Sequence, residues 1–271
     1  MRLLVIGGGR MGEALIGGLL RAGWSGEDIG VVEKVEARRK ELAARYPGLQ
    51  VPNDVGDVPA CEGAVVAVKP ADVEDACLAL GTMPQPPAHV LSIAAGVPIG
   101  DLELWLRNAG PVPVVRAMPN TPAQVGIGAA AIAPGTNATD DDLEWAEEIL
   151  GAVGIVVRVP EHLLDAVTGL SGSGPAYVFL VVEALIEAGV LNGLPRETAE
   201  ALVRQTLLGS ARLLADSAEG PEVLRAAVTS PGGTTAAGLQ ALEDRAVRSA
   251  FLHAVTAATE RSRQLGERRH P

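Results

Sequence analysis

Near the start of the chain, Gly7-Gly8-Gly9-Arg10-Met11-Gly12 follows the apolar run 2–6 and opens a stretch, Glu13 to Ala22, whose apolar residues recur at helical spacing. A β-capable run, a glycine-rich turn and a helix in that order constrain the fold strongly. They form the first βα unit of an open sheet whose turn holds a dinucleotide pyrophosphate against a helix N-terminus. Gly7 makes the tight turn, Gly9 lets the pyrophosphate approach the backbone, and Gly12 lets helix and strand pack closely. The candidate cradle is therefore Ile6, Gly7, Gly8, Gly9, Arg10, Met11 and Gly12. Glu33 stands 21 residues after Gly12, at the end of the next strand, where a carboxylate accepts hydrogen bonds from ribose hydroxyls. Lys34, Arg38 and Arg39 follow, and cations there can neutralise a 2′-phosphate, so the sequence leaves NADH and NADPH both open.

The alternation continues. Strands are expected at 29–32, 64–68, 90–93, 114–117, 129–133 and 155–159, with helices at 37–45, after Pro70, and after Thr139, whose side chain caps a turn rich in Asp140, Asp141 and Asp142. Strands alternating with helices predict βαβ units and a parallel, doubly wound sheet of Rossmann type. Ligands of such sheets sit at the carboxyl ends of the strands. There Ala67-Val68-Lys69-Pro70 and Ala94-Ala95 join the candidate cofactor contacts, although Lys69 is equally readable as a solvated cation at a strand end. Beyond Pro160 the segments 163–170, 175–190, 195–215, 222–228 and 235–265 all read as helix. The expected division is a dinucleotide-binding domain, 1–159, and an all-α domain, 160–271, that handles substrate and dimerises; the tail 261–271 is expected to fray.

Bulk properties narrow the partners. With 33 acidic against 22 basic residues and a net charge of −11, the chain lacks the footprint that nucleic acid or an anionic membrane would demand. Cys61 and Cys77 form no disulfide framework and no zinc spacing, so no metal and a reducing, cytoplasmic setting are expected. The segment Ala176–Val190 carries Glu183 and Glu187 and is expected to be too short to cross a bilayer. Between Tyr177 and Leu185 it is apolar almost all round, which predicts burial at a homodimer interface. The positions Ala199, Leu202, Val203, Thr206, Leu207, Ser210, Leu213 and Leu214 mark a second helix with one face to bury.

A different chemistry lies downstream. Ser230-Pro231-Gly232-Gly233-Thr234-Thr235 sets a proline, two glycines and two hydroxyls just before a helix, where unpaired N–H groups and softened backbone can hold a small carboxylate. Together with Ile6–Gly12, Ala67–Pro70, Arg116-Ala117-Met118-Pro119-Asn120-Thr121-Pro122 and Asp165–Tyr177, which contains Ser171-Gly172-Ser173-Gly174-Pro175, it resembles pyrroline-5-carboxylate reductase, in the same order and over essentially the whole chain. The resemblance implies hydride transfer from NADPH or NADH to a cyclic imine, giving L-proline. It further implies that Gly232, Gly233 and Thr234 hold the carboxylate, through backbone N–H groups at Gly233 and Thr234, that the Thr235 hydroxyl touches the imine nitrogen, and that Ser173 and Glu161 lie on the substrate side. Glu161 is also readable as a plain acid at a helix start. Asn53 resembles an adenosine-side asparagine, with Asp54 competing for the register. Thr234 stands where many relatives have alanine, a departure that leaves a backbone contact intact.

The residues suit that chemistry. A protonated C=N is already electrophilic, so the site must orient and bind rather than supply strong acid. None of the four histidines, His89, His162, His253 and His270, falls within these motifs. A β-hydroxyacid dehydrogenase of similar layout resembles its kin in placing a catalytic lysine on the helix after a glycine-rich entry. Here the only lysines are Lys34, Lys40 and Lys69, so the helical half supplies none. A nucleotide-sensing protein without turnover is the rival of another class, and the complete substrate loop argues against it.

Overall fold

A computed structural model describes residues 1–267 and gives two compact units, Met1–Ser173 joined by the chain from Thr256 onward, and Gly174–Val255. The first is built on a seven-stranded sheet in the order β2-β1-β3-β4-β5-β6-β7. Its strands are β1 Leu3–Ile6, β2 Ile29–Val32, β3 Gly63–Val66, β4 His89–Ser92, β5 Val114–Met118, β6 Gly128–Pro134 and β7 Gly154–Arg158. The first three strands are buried at every residue, as expected of strands covered on both faces.

Alternation along the strands sends neighbouring side chains to opposite faces. Leu3 and Val5 join a core with Leu15, Ile16 and Leu19 of α1 (Arg10–Arg21), Leu42 of α2 (Glu36–Arg45), and Ala146 and Ile149 of α5 (Asp140–Gly151). Leu4 and Ile6 join another with Val73 and Leu80 of α3 (Val73–Gly81) and Leu102 and Leu106 of α4 (Ile99–Leu106). This is double winding. Cys61 and Cys77 are both buried in the second core as free thiols, and burial pushes the Cys77 thiol up to about 12.

Three expectations for this unit are corrected. The sheet is not wholly parallel, because β6 runs antiparallel to β5, pairing Val115 with Pro134 and Met118 with Ala131, before β7 lies parallel to β6. Helix α4 forms where the sequence reading placed none; Pro98 sets its N-terminal boundary and Leu102 and Leu106 give it one apolar face. The tail does not fray at residue 261. The helix Val247–Glu267 continues, Ser262 is buried, and its hydroxyl donates to Asp165 Oδ1 at 2.6 Å. Residues 268–271 lie outside the described residues.

Between β7 and the second unit the first unit runs on through a short turn, Glu161–Leu163, α6 (Leu164–Val167) and a π-helical turn, Thr168–Gly172. The second unit then holds α7 (Gly174–Leu191), α8 (Arg196–Asp216), α9 (Pro221–Ala227), α10 (Thr234–Asp244) and the start of α11 (Val247–Glu267). The single helix expected over 235–265 is broken by Ala246, which takes a left-handed φ of 54°. α7 and α8 pack closely where Ala199 meets Gly189, but little else is covered. Within the chain Val178, Phe179, Leu180, Leu202, Leu213 and Leu214 are exposed, and only Ile186 of α7 and Ala199 of α8 are buried. The length argument against a membrane also fails. The helical run Glu161–Leu191 spans 31 residues and is long and apolar enough to cross a bilayer by length and composition.

Candidate active site

At the carboxyl ends of β1, β2 and β3 lies a cleft of about 550 Å³. Gly7 turns the chain out of β1 with φ +106°, and a Cβ there would press on the Ala67 carbonyl, so only glycine serves. A Cβ on Gly12 would run into the Gly7 carbonyl oxygen, which seats α1 tightly behind the turn. The structure thus brings Ile6, Gly7 and Gly9 to one wall, Glu33, Lys34 and Asn53 to another, and Ala67, Val68 and Lys69 to a third. Asp54, the competitor of Asn53, lines the cleft as well and caps the following turn through Gly56 N–H at 2.9 Å. A wide, glycine-walled cleft with a carboxylate at the end of the second strand fits a dinucleotide.

Other candidates lie outside the lining of this cleft. Gly8 N–H donates to Glu33 Oε2 at 3.0 Å, while Val35 N–H donates to Oε1 at 2.9 Å, so the Glu33 carboxylate is held across the turn by two backbone bonds. Arg10 lines a smaller hollow of about 200 Å³ with Glu13, Arg21, Arg45, Tyr46 and Gln124. Burial alone would raise the Glu13 carboxyl; bonds from Arg38 and Tyr46 and the charge of Arg45 more than offset it, and the net shift is downward. Met11, Gly12, Pro70, Ala94 and Ala95 do not line the cleft either. Sequence reading missed Asp72, Asp75, Ala76 and Ala79, which line it from α3 and the turn before it. Their spacing of three, one and three residues was the available signal, one face of a helix following β3.

The loop after β5 is tied to the glycine-serine block. Asn120 Nδ2 donates to the Ser171 carbonyl at 3.1 Å, and Asn120 Oδ1 accepts from Ala129 N–H at 2.9 Å. The wider π turn throws the Ser171 carbonyl off the regular ladder, where Asn120 collects it. Ser173 N–H closes that turn on the Thr168 carbonyl at 2.8 Å. Glu161 has a built environment of its own: its Oε1 accepts from Ile99 N–H at 2.7 Å and from buried Arg116 Nη1 at 2.9 Å. It joins the first turn of α4 to β5, which the sequence did not disclose.

In the helical unit, Gly232 takes φ +70° and Gly233 N–H donates to the Ser230 carbonyl at 3.0 Å. That corrects the expectation that Gly233 offers its amide to a ligand. Gly233 instead caps α10, and Thr234 and Thr235 become its first two residues, whose amides have no carbonyl one turn earlier in the helix. Both threonines are exposed. Among the described residues no group of three or more His, Cys, Asp or Glu could hold a metal ion.

The sheet and its cleft define a Rossmann-type nicotinamide-dinucleotide oxidoreductase joined to a helical unit. Residues 2–96 match the family described as NADP oxidoreductase, coenzyme F420-dependent, and residues 161–265 match the family described as pyrroline-5-carboxylate reductase dimerisation. The pyrroline-5-carboxylate reductase of Methanosarcina acetivorans is 43% identical, over 97% of each chain. The solved structure of the reductase from Coxiella burnetii superposes with a TM-score of 0.90 at 36% identity, covering 97% of this chain and 98% of that one. The Plasmodium falciparum pyrroline carboxylate reductase with NADP bound gives 0.84 at 32% identity, over 98% of each. The chain belongs to the pyrroline-5-carboxylate reductase family. The dimerisation match also makes it a self-associating chain.

Proposed function

We propose that this protein reduces Δ1-pyrroline-5-carboxylate to L-proline with a reduced nicotinamide dinucleotide, the final step of proline synthesis. One observation carries the reading. The glycine cleft and the Gly232–Thr235 corner both occur in a chain related over its full length to named reductases. Bound in the cleft, the dinucleotide supplies the hydride. The chain supplies position: the turn at Gly7–Gly9 receives the pyrophosphate, and Glu33 and Asn53 receive the adenosine half.

The Thr234 and Thr235 amides, at a helix N-terminus of positive potential, receive the substrate carboxylate, with Gly232 and Gly233 shaping the corner. The Thr235 hydroxyl holds the imine nitrogen. A hydride delivered to the imine carbon would send the π pair to nitrogen, and the already protonated nitrogen would become the product amine. No strong general acid is needed. Ser173 adds a hydroxyl on the substrate side. Glu161, bonded to Arg116 and Ile99, is the carboxylate on that side.

The active form is a homodimer through the C-terminal helices, with the apolar surface of α7 and α8 as its seam, and any larger assembly is built of such dimers. A cytoplasmic setting suits two buried free thiols. Initial rates of NADH and NADPH oxidation with pyrroline-5-carboxylate test the reading; turnover with neither nucleotide overturns it.

A further inference from the structure

We propose that the cleft selects NADH over NADPH, and that the Glu33 carboxylate is the selecting group. The proposal rests on the reading of the cleft as the dinucleotide site.

Both Glu33 oxygens are fixed by backbone donors, Gly8 N–H on one and Val35 N–H on the other. A carboxylate offers about four lone-pair sites, so roughly two remain to accept from ribose hydroxyls. Swinging the group aside to admit a phosphate would break both bonds. The cations that sequence reading left open as phosphate partners are mostly engaged. Arg38 is ion-paired with Glu13 and Glu41 and donates through Nε to the Gly8 carbonyl at 2.8 Å. Arg39 Nη1 donates to the Glu33 and Lys34 carbonyls at 2.7 and 2.9 Å and does not line the cleft.

What lines the cleft is acidic overall. Glu33, Asp54, Asp72 and Asp75 face two ammonium groups, Lys34 and Lys69. A 2′-phosphate brings up to two further negative charges beside a carboxylate held by two backbone bonds. At the dielectric of a protein surface, repulsion over a few ångströms corresponds to roughly a tenfold or larger loss of affinity. Lys34 is exposed, on a flexible four-carbon stem, and offsets only part of this.

The test is direct binding of NADH and of NADPH to the full-length protein, read by nicotinamide fluorescence without substrate. NADH should bind about tenfold more tightly at low ionic strength, and salt should narrow the gap by screening. Glu33→Gln keeps one acceptor and removes the charge; it should tighten NADPH and bring the two constants within about threefold, circular dichroism reporting the fold. Equal or tighter NADPH binding by the unmodified protein overturns the proposal and leaves the cleft assignment standing. A Glu33→Gln variant that folds yet keeps the original ratio overturns Glu33 as the selector. Binding of neither nucleotide overturns the cleft assignment itself, and the proposal with it.

Discussion

The two compact units use similar apolar residues to opposite ends. In the sheet unit Leu3, Leu15, Ile16 and Leu91 are wholly enclosed by their own chain, whereas in the helical unit Phe179 and Leu180 are 61% and 65% exposed. A parallel sheet wound on both faces covers itself. The stretch from Tyr177 to Leu185 is apolar almost all round, and α8 alone leaves most of it uncovered, which is why we proposed a second copy of the chain as its cover. The comparison teaches that the first unit covers its own apolar surface, while the second leaves apolar surface that its own chain does not cover.

The largest effect should come from the exposed apolar surface of α7, the proposed seam. Placing glutamates at Phe179 and Leu180 together should weaken self-association by a factor of about a thousand or more, and sedimentation should show monomer; an unchanged dimer would break the comparison outright. In the enclosed core, Leu15→Ala should cost roughly 2–5 kcal/mol in denaturant unfolding, the same at every protein concentration. Leu180→Ala should destabilise in a way that depends on concentration. If both variants respond identically to dilution, the two units are not stabilised differently.

Thr235→Val should lower kcat/KM by an amount equivalent to roughly 1–3 kcal/mol without changing the dimer, so kinetics and sedimentation separate chemistry from assembly. The smallest effect belongs to the α5 cap. Asp142 Oδ2 accepts from the Thr139 N–H at 2.7 Å and from its hydroxyl, while Oδ1 lies 2.5 Å from His89 Nδ1. Burial pushes the Asp142 carboxyl up, but the Thr139 and His89 bonds prevail and its titration is shifted down. A depressed folded-state value means stability present above the ordinary aspartate range and lost as pH falls through the folded value. Asp142→Asn should therefore cost about 1 kcal/mol at neutral pH, the difference closing below about pH 4 in pH-dependent melts.

Much of this was legible because local rules suffice for it. The continuous apolar runs near residues 2–6, 29–32 and 64–68 announce strands buried on both faces, and Gly7 and Gly12 announce the turn, since backbone crowding there excludes any side chain. Direction of pairing was not legible. Nothing in Gly128–Pro134 records that β6 runs against β5, because that is decided by the neighbouring strand. The break at Ala246 was hidden by alanine's own preference for helix. The bond from Gly233 to Ser230 was invisible for a related reason: a glycine-rich corner advertises freedom, and only the folded turn says which amide is spent. The partners of Glu161 come from residues 45 and 62 positions away, beyond the reach of any motif.

The two thiols turn this architecture into a clock. Cys61 and Cys77 both lie in the sheet unit, shielded and reluctant to ionise, and the chain has no other cysteine. Cys77, wholly enclosed, can therefore be struck by an alkylating reagent only when that unit opens, and its rate of labelling times the excursions of the nucleotide-binding half alone. Loosening of the helices leaves no chemical mark, so what is ordinarily blended in one melting curve becomes separable by a mass shift.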